Sequence, residues 1–200
     1  MSLDDNEIFS IFSQATLKTI QSLCQTNSRI RQLCLTSRFK KLIDHKILDS
    51  LIQQYLTPED ALINMVEQGD LYRVDLLLRT GVDPSTKNNR AILEAGQKGY
   101  LDIVNRLLED RRVNPNDALI YTSMQGHVDI VDRLLRDPRV DPSDYGAYSL
   151  RYASSGGHLE TVKRLLQDPR INPNANNYQA LKSALDKNHM QIVKLLAQYI

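Results

Sequence analysis

Apolar positions recur in one register along the second half of the chain. In GHVDIVDRLLRDPRVDPS, which starts at Gly126, Ile130, Val131, Leu134 and Leu135 repeat at one, four and five residues. That spacing puts them on one face of a helix. The helix is predicted to stop at Asp137-Pro138, because a residue before proline avoids the helical region and proline cannot continue the ladder. Val140 then points inward, and Asp141-Pro142 turns the chain. The same order returns in GYLDIVNRLLEDRRVNPN from Gly99 and in GHLETVKRLLQDPRINPN from Gly157. In the latter it reads Leu165, Leu166, Asp168-Pro169, Ile171 and Asn172-Pro173. Shorter versions are GDLYRVDLLLRTGVDPS from Gly69 and NHMQIVKLLAQYI from Asn188. The starts lie 30, 27, 31 and 31 residues apart. A period near 30 predicts a solenoid of stacked units.

Ahead of each Gly-His slot stand about nine residues that read as a second, shorter helix. Its apolar slot holds Leu62, Ile92, Leu119, Leu150 and Leu181 in turn. Three residues later comes a mostly small slot, Met65, Ala95, Thr122, Ala153 and Ala184, which lets neighbouring helices approach closely. Asn88, Gly146 and Asn177 share one offset before this helix. Residues that tolerate positive φ at a fixed offset predict a repeated tight hairpin. Between the second and third units Val113-Asn114-Pro115-Asn116 runs straight into Asp117-Ala118, so the turn there is expected to be stunted. The first unit opens on Thr57-Pro58-Glu59-Asp60, which reads as an N-cap, a first-turn proline and first-turn acid.

Residues 1–56 do not repeat. Apolar clusters recur at helical spacing: Ile8 to Phe12, Leu17 to Cys24, Ile30 to Cys34, and Phe39 to Ile43. A longer helix is expected over Ile47, Leu48, Leu51, Ile52, Tyr55 and Leu56, with Thr26, Asn27 and Ser37 as caps. Boundaries are expected at 1–56 for this helical segment and 57–200 for the repeats, the units falling near 57–86, 87–116, 117–144, 145–175 and 176–200.

Composition fits this reading. The chain has 200 residues, 42% hydrophobic and 24% charged, which is enough to bury a core without staples. A formal charge of +1 gives no global field for nucleic acid or anionic lipid, so neither a nucleic-acid nor a membrane partner is expected. Arg29, Arg31, Arg38, Lys40, Lys41 and Lys46 face only Asp44. This reads as a solvated basic face, with an acidic partner or nucleic acid as the alternative. The start, MSLDDNEIF, has no basic leader, and no apolar run approaches a membrane span. Cys24 and Cys34 read as buried, reduced apolar side chains. An intracellular, cytoplasmic monomer is expected.

Reactive constellations are missing from the sequence. His127, His158 and His189 recur 31 residues apart. They read as one structural slot, because ligands to one zinc cannot sit an inter-helix distance apart. No phosphate loop, dinucleotide turn, nucleophile elbow, HExxH or CxxC occurs. A non-enzymatic protein with no cofactor and no metal is expected.

The slot order, first helix, Gly-His, a Leu-Leu helix, then Asp/Asn-Pro and a turn, resembles the ankyrin repeat over about residues 57–200. The Thr-Pro-Leu-His opening of that family is absent: Asp117-Ala118-Leu119-Ile120 and Tyr148-Ser149-Leu150-Arg151 stand in its place. The resemblance implies an all-α solenoid of helix-turn-helix units that binds a protein partner on its concave and turn surface. By the same resemblance, contacts would fall on Thr86, Lys87, Asn89, Gln97, Lys98, Met124, Gln125, Asp144, Tyr145, Ala147, Asn176, Tyr178, Asp186 and Lys187. Tyr148 belongs with Tyr145 and Tyr178, since tyrosine is enriched at hot spots; bracing of the turns is the alternative role. The Asp-Pro-Arg-Val/Ile-Asp/Asn-Pro string resembles ankyrin proteins of large DNA viruses of amoebae, which would place the protein in host cytoplasm.

LKTIQSLCQTNSRIRQLCLTSRFKKLI resembles an F-box, with Leu17, Ile20, Leu23, Cys24, Leu33, Cys34 and Phe39 in its apolar rhythm. It lacks that family's opening Leu-Pro and closing tryptophan. The resemblance implies contact with a Skp-type adaptor of a cullin–RING ubiquitin ligase, with the ankyrin units as substrate receptor. A helical cap on the first repeat is the other reading of this segment.

Overall fold

The structure, a computed structural model, describes residues 4–26, 28–55 and 57–199, and within them all side chains except those at 17, 26, 28, 29, 31, 52, 144 and 146. The described residues are helical and contain no strand. The chain divides into two compact units, Met1–Ala61 and Leu62–Ile200.

The first unit contains α1 (Asp5–Gln14), α2 (Leu17–Thr26), α3 (Ser28–Cys34) and α4 (Ser37–Gln54). A capping box opens α1. The Asp4 carboxylate accepts from the Asn6 and Glu7 amides, and Glu7 Oε2 accepts from the Asp4 amide at 2.7 Å. Ile8, Phe12, Ile20 and Phe39 form a buried core. Phe9 and Phe12 both meet Phe39 edge-on, with centroids 5.2 and 5.3 Å away. The separate helices expected around Phe39–Ile43 and Ile47–Leu56 are one helix, α4, because no proline or glycine interrupts Ser37–Gln54. Ser37 is its first residue behind the N-cap Thr36. Of the expected caps, Thr26 is the last residue of α2; its side chain, Asn27, the side chains of Arg29, Arg31 and Ile52, and Leu56 lie outside what is described.

The reading of Cys24 and Cys34 as reduced thiols is overturned. They form a disulfide that joins α2 to α3, with Cα atoms 6.3 Å apart. Both residues are half-buried against the core. Disulfides persist in oxidising compartments, so these cysteines carry no argument for an intracellular location.

The second unit is a two-layer stack. First helices are α5 (Pro58–Glu67), α7 (Thr86–Lys98), α9 (Asn116–Gln125), α11 (Pro142–Gly156) and α13 (Ala175–Asp186). Second helices are α6 (Leu71–Arg79), α8 (Leu101–Leu108), α10 (Val128–Leu135), α12 (Leu159–Leu166) and α14 (Met190–Leu196). Helices α7, α9, α11 and α13 pack in series as one layer, and α6, α8, α10, α12 and α14 as the other. Thr57 Oγ1 accepts from the Asp60 amide at 3.1 Å, as its cap reading required.

The repeat slots do the packing they were assigned, except that Leu181 is only half-buried. Leu62, Ile92, Leu119 and Leu150 are fully buried, as are Met65, Ala95, Thr122, Ala153 and Ala184. Ile130, Val131, Leu134 and Leu135 all face inward. The residue after the small slot, Val66, Gly96, Ser123 or Ser154, is also buried. Its counterpart in the last unit, Leu185, is 48% exposed.

Two expectations need correction. The first helices are not the shorter ones: α9 and α11 have 10 and 15 residues, whereas α10 and α12 have 8. The second helices α8, α10 and α12 all end after eight residues, α8 without a proline behind it and the others ahead of Pro138 and Pro169, while Pro142 at the first turn starts α11 early. Nor is the connection a repeated hairpin. Lys87, Asn88 and Asn89 have φ of 51°, 57° and 59°, and Asn176, Asn177 and Tyr178 have 53°, 58° and 59°. Each set is a left-handed turn at the head of its helix. Gly146 lies inside α11, so the turn expected there is helical. At the stunted junction α9 starts at Asn116, directly after Pro115, with no left-handed turn.

Polar side chains stitch consecutive units together. His127, His158 and His189 each donate Nε2–H to a carbonyl of the unit before, those of Gln97, Met124 and Ser155, at 3.1, 2.8 and 3.0 Å. Their rings lie on Gly99, Gly126 and Gly157, each of which has φ near 78° and closes the preceding first helix. A second stitch is the Asp-x-Arg within each helix stop. Arg139 Nε and Nη2 grip both oxygens of Asp137 at 2.9 Å, while Nη2 reaches the Leu108 carbonyl at 2.8 Å. Its Nη1 reaches the Asp110 and Val113 carbonyls at 3.0 and 3.1 Å. All five guanidinium N–H groups are thereby used, and one of them caps the end of α8. Arg112 and Arg170 repeat the clamp on the carbonyls of Val82 and Leu135. On the second-helix layer, Arg106 pairs with Asp75, Arg133 with Asn105 and Arg164 with Asp132.

Candidate functional site

Three consecutive units contribute to one open groove of about 550 Å³. Ile120 comes from α9, Ser143, Tyr145, Ala147 and Tyr148 from α11, and Ala175 and Asn176 from the head of α13. Pro142 starts α11 early enough to bring Tyr145 and Tyr148 onto it. Three residues apart, they share one face. Leu150 and Ser149 are buried on another face, and Ser149 Oγ donates to the Tyr145 carbonyl at 2.7 Å. Asn176 is presented by the left-handed turn that follows the Asn172-Pro173 bend, where Asn172 Oδ1 accepts from the Asn174 amide at 2.9 Å.

Among the described side chains none that lines the groove is charged; that of Asp144, between Ser143 and Tyr145, is not among them. Its chemistry is aromatic face, hydroxyl, carboxamide and apolar surface, which suits stacking and neutral hydrogen bonding. Tyr148 is 47% exposed. Tyr121 on α9 and Tyr178 on α13 add exposed aromatic surface on the same layer. Among the described residues no group of three or more His, Cys, Asp or Glu is placed to hold a metal. No described helix is long and apolar enough to cross a membrane.

The groove unites Tyr145, Tyr148, Ala147 and Asn176 from the residues expected to contact a partner. The others lie apart from it. Thr86 is half-buried and donates to the Asp83 carbonyl. Asn89 Oδ1 accepts from the Asn114 amide at 2.7 Å, which ties neighbouring turns together. Lys87, Gln97, Lys98, Gln125, Tyr178, Asp186 and Lys187 are exposed, and Met124 is half-buried. The Asp144 side chain lies outside the described residues. Of the F-box-like set, Ile20 and Phe39 are core, and Leu23 and Leu33 pack half-buried against them. Cys24 and Cys34 are the disulfide, and the Leu17 side chain lies outside the described residues.

Ile120 and Tyr121 belong to this surface although the sequence reading passed over them. The slots gave no signal: Ile63 and Leu93 share the slot of Ile120 with Arg151 and Lys182, and Tyr152 shares that of Tyr121 with Asn64, Glu94 and Ser183.

Comparison with curated proteins finds no match. A family model described as ankyrin repeats (3 copies) matches residues 119–200, the stretch that holds every described residue lining the groove. Such repeats are in general protein–protein interaction modules. With its paired helices stacked in two layers, the fold is an all-α ankyrin-repeat solenoid.

Proposed function

We propose that the chain is a non-enzymatic recognition module whose protein partner seats on the groove between α9, α11 and α13. The supporting observation is the meeting of Tyr145, Tyr148, Ile120 and Asn176 from three units in one groove. Tyrosine supplies large, rigid, amphipathic contact area, and buried aromatic anchors carry most interface energy. The test is affinity capture from source lysate with the full chain and with the Tyr145→Ala/Tyr148→Ala variant. Loss of a partner from the variant supports the reading. Retention of every partner would contradict it.

A second reading, an F-box-like receptor that engages a Skp-type adaptor, draws support from the first unit having its own core. On that unit Ile11 and Leu35 are 48% and 80% exposed. With Ile20 and Phe39 inside the core, an adaptor would meet Ile11 and Leu35 instead. Pull-down of a purified Skp-type adaptor by the full chain, lost in Leu35→Asp, supports this reading. No retention by the unmodified chain ends it.

A further inference from the structure

The second-helix layer carries another surface, independent of the tyrosine groove. Leu71 and Tyr72 of α6, with Asp102, Arg106 and Glu109 from α8 and its C-cap, border an open groove of about 660 Å³. Leu71 is 38% exposed and Tyr72 43%. The slot of Tyr72 is taken in the four later units by Asp102, Asp129, Glu160 and Gln191, all exposed. Packing of the stack therefore asks for no aromatic residue there. The charge around the two apolar side chains is mainly acidic. Among the described residues Asp75, Asp102 and Glu109 line the groove with Arg106, and Asp75 is paired with Arg79 as well, so that Asp102 and the outer edge of Glu109 carry the free acidity. Arg106 is already engaged: its Nε donates to Asp75 Oδ1 at 2.7 Å and its Nη1 lies 3.2 Å from Glu109 Oε2. Glu109 keeps a side chain 69% exposed.

We infer that this groove docks a cationic amphipathic helix of a protein partner. A groove between two neighbouring helices suits a partner helix read through apolar anchors at i, i+3/i+4 and i+7. The anchors would cover Leu71 and Tyr72. Lysine or arginine beside them would meet Asp102 and Glu109, where opposite charge speeds encounter and excludes acidic helices.

The test uses the full chain and a fluorescein-labelled peptide of leucine and lysine, about 16 residues or roughly four turns long, with leucines on one face. A second peptide carries glutamate for every lysine. Fluorescence anisotropy should show the lysine peptide binding and the glutamate peptide not binding. Tyr72→Asp, which installs the residue of the equivalent Asp102 and Asp129 slots, should weaken binding at least about tenfold. Asp102→Asn/Glu109→Gln should weaken it at low salt and flatten its salt dependence toward about 1 M, where charges are screened beyond about 3 Å. Tyr148→Ala should leave it unchanged. Circular dichroism checks that each variant is folded, and the carboxylate variant decides the matter if Tyr72→Asp is not. Absence of binding by the lysine peptide, equal binding by the folded variants, or loss of binding in Tyr148→Ala would each overturn the inference.

Discussion

The imidazole of His158 lies on Gly126, so close that a Cβ added to that glycine would sit 2.5 Å from its Nδ1. Gly126 also has φ of 79°. The ring is fixed by its bond to the Met124 carbonyl and cannot move aside without breaking it. Gly126→Ala combines a left-handed penalty of about 1–2 kcal/mol with this overlap, so a loss of at least about 2 kcal/mol is expected in urea unfolding. A loss below about 1 kcal/mol would mean that the ring does not hold the position. In the last of the five units the slot is Asn188, at φ 59°.

Arg139 is expected to be irreplaceable by lysine. A lysine has three donors on a single nitrogen and cannot span both oxygens of Asp137 together with three carbonyls. Arg139→Lys should cost about 2–3 kcal/mol, because the Asp137 residue is only 6% exposed and would lose its two-pronged grip, keeping Arg133 at 3.7 Å, while three carbonyls lose their donors. Denaturant titration reads this directly. The equivalent change at Arg170, which grips one carbonyl of the preceding unit rather than three, should cost less.

Stability should fall in acid through these same clamps. The hydrogen bond from Arg139 is the largest influence holding the Asp137 carboxyl below its ordinary value. Arg112, Arg170 and Arg106 act likewise on Asp110, Asp168 and Asp75. A carboxylate lowered in the folded state contributes stability that is present above the unfolded value near 3.9 and lost as pH falls through the folded one. Urea midpoints should therefore be level from neutral pH to about pH 5 as regards these groups, then drop steeply below about pH 4. Asp137→Asn should be less stable at neutral pH and show a shallower acid drop. An unchanged slope would remove Asp137 from the account.

Thr161 breaks its slot in the other direction. Ile103, Ile130 and Ile192 hold the equivalent positions in three units and the half-buried Arg73 in the first, and Thr161 is 1% exposed. Among the described residues its Oγ1 has no hydrogen-bond partner. Thr161→Val keeps the shape and removes the unsatisfied hydroxyl, so a gain of about 0.5–1.5 kcal/mol is expected. Thermal unfolding should show a higher midpoint, and a lower one would show that the hydroxyl is satisfied in solution.

What could be read from the sequence was whatever recurs within one helix. Leu134 and Leu165 declared their burial because the apolar face repeats at helical spacing, and the Asp-Pro pairs declared the helix stops. The clamp by Arg139 stayed hidden because its carbonyl partners lie 26 to 31 residues away, a separation set by stacking and invisible to a local pattern. The carboxylate of Asp137 was read as a mark of helix ending when it also orients that arginine. Pairing of Cys24 with Cys34 depends on how α2 and α3 aim their side chains, which spacing alone does not tell. Of the groove, Tyr145, Ala147 and Asn176 came from the resemblance to the ankyrin repeat, as turn-tip positions, and Tyr148 from its residue type. Ile120 was not legible, since its exposure depends on the early start of α11.

The account rests on the first-helix layer being the face that meets a partner. Its most direct measurement places a photo-crosslinking residue at Tyr148 in one full-length protein and at Glu160, on the other helix layer, in a second, followed by mass spectrometry of the adducts. A partner protein joined through position 148, and lost from that adduct when Tyr145 is changed to alanine, is the predicted result. Adducts that form only through position 160, or that survive the Tyr145 change undiminished, would contradict it.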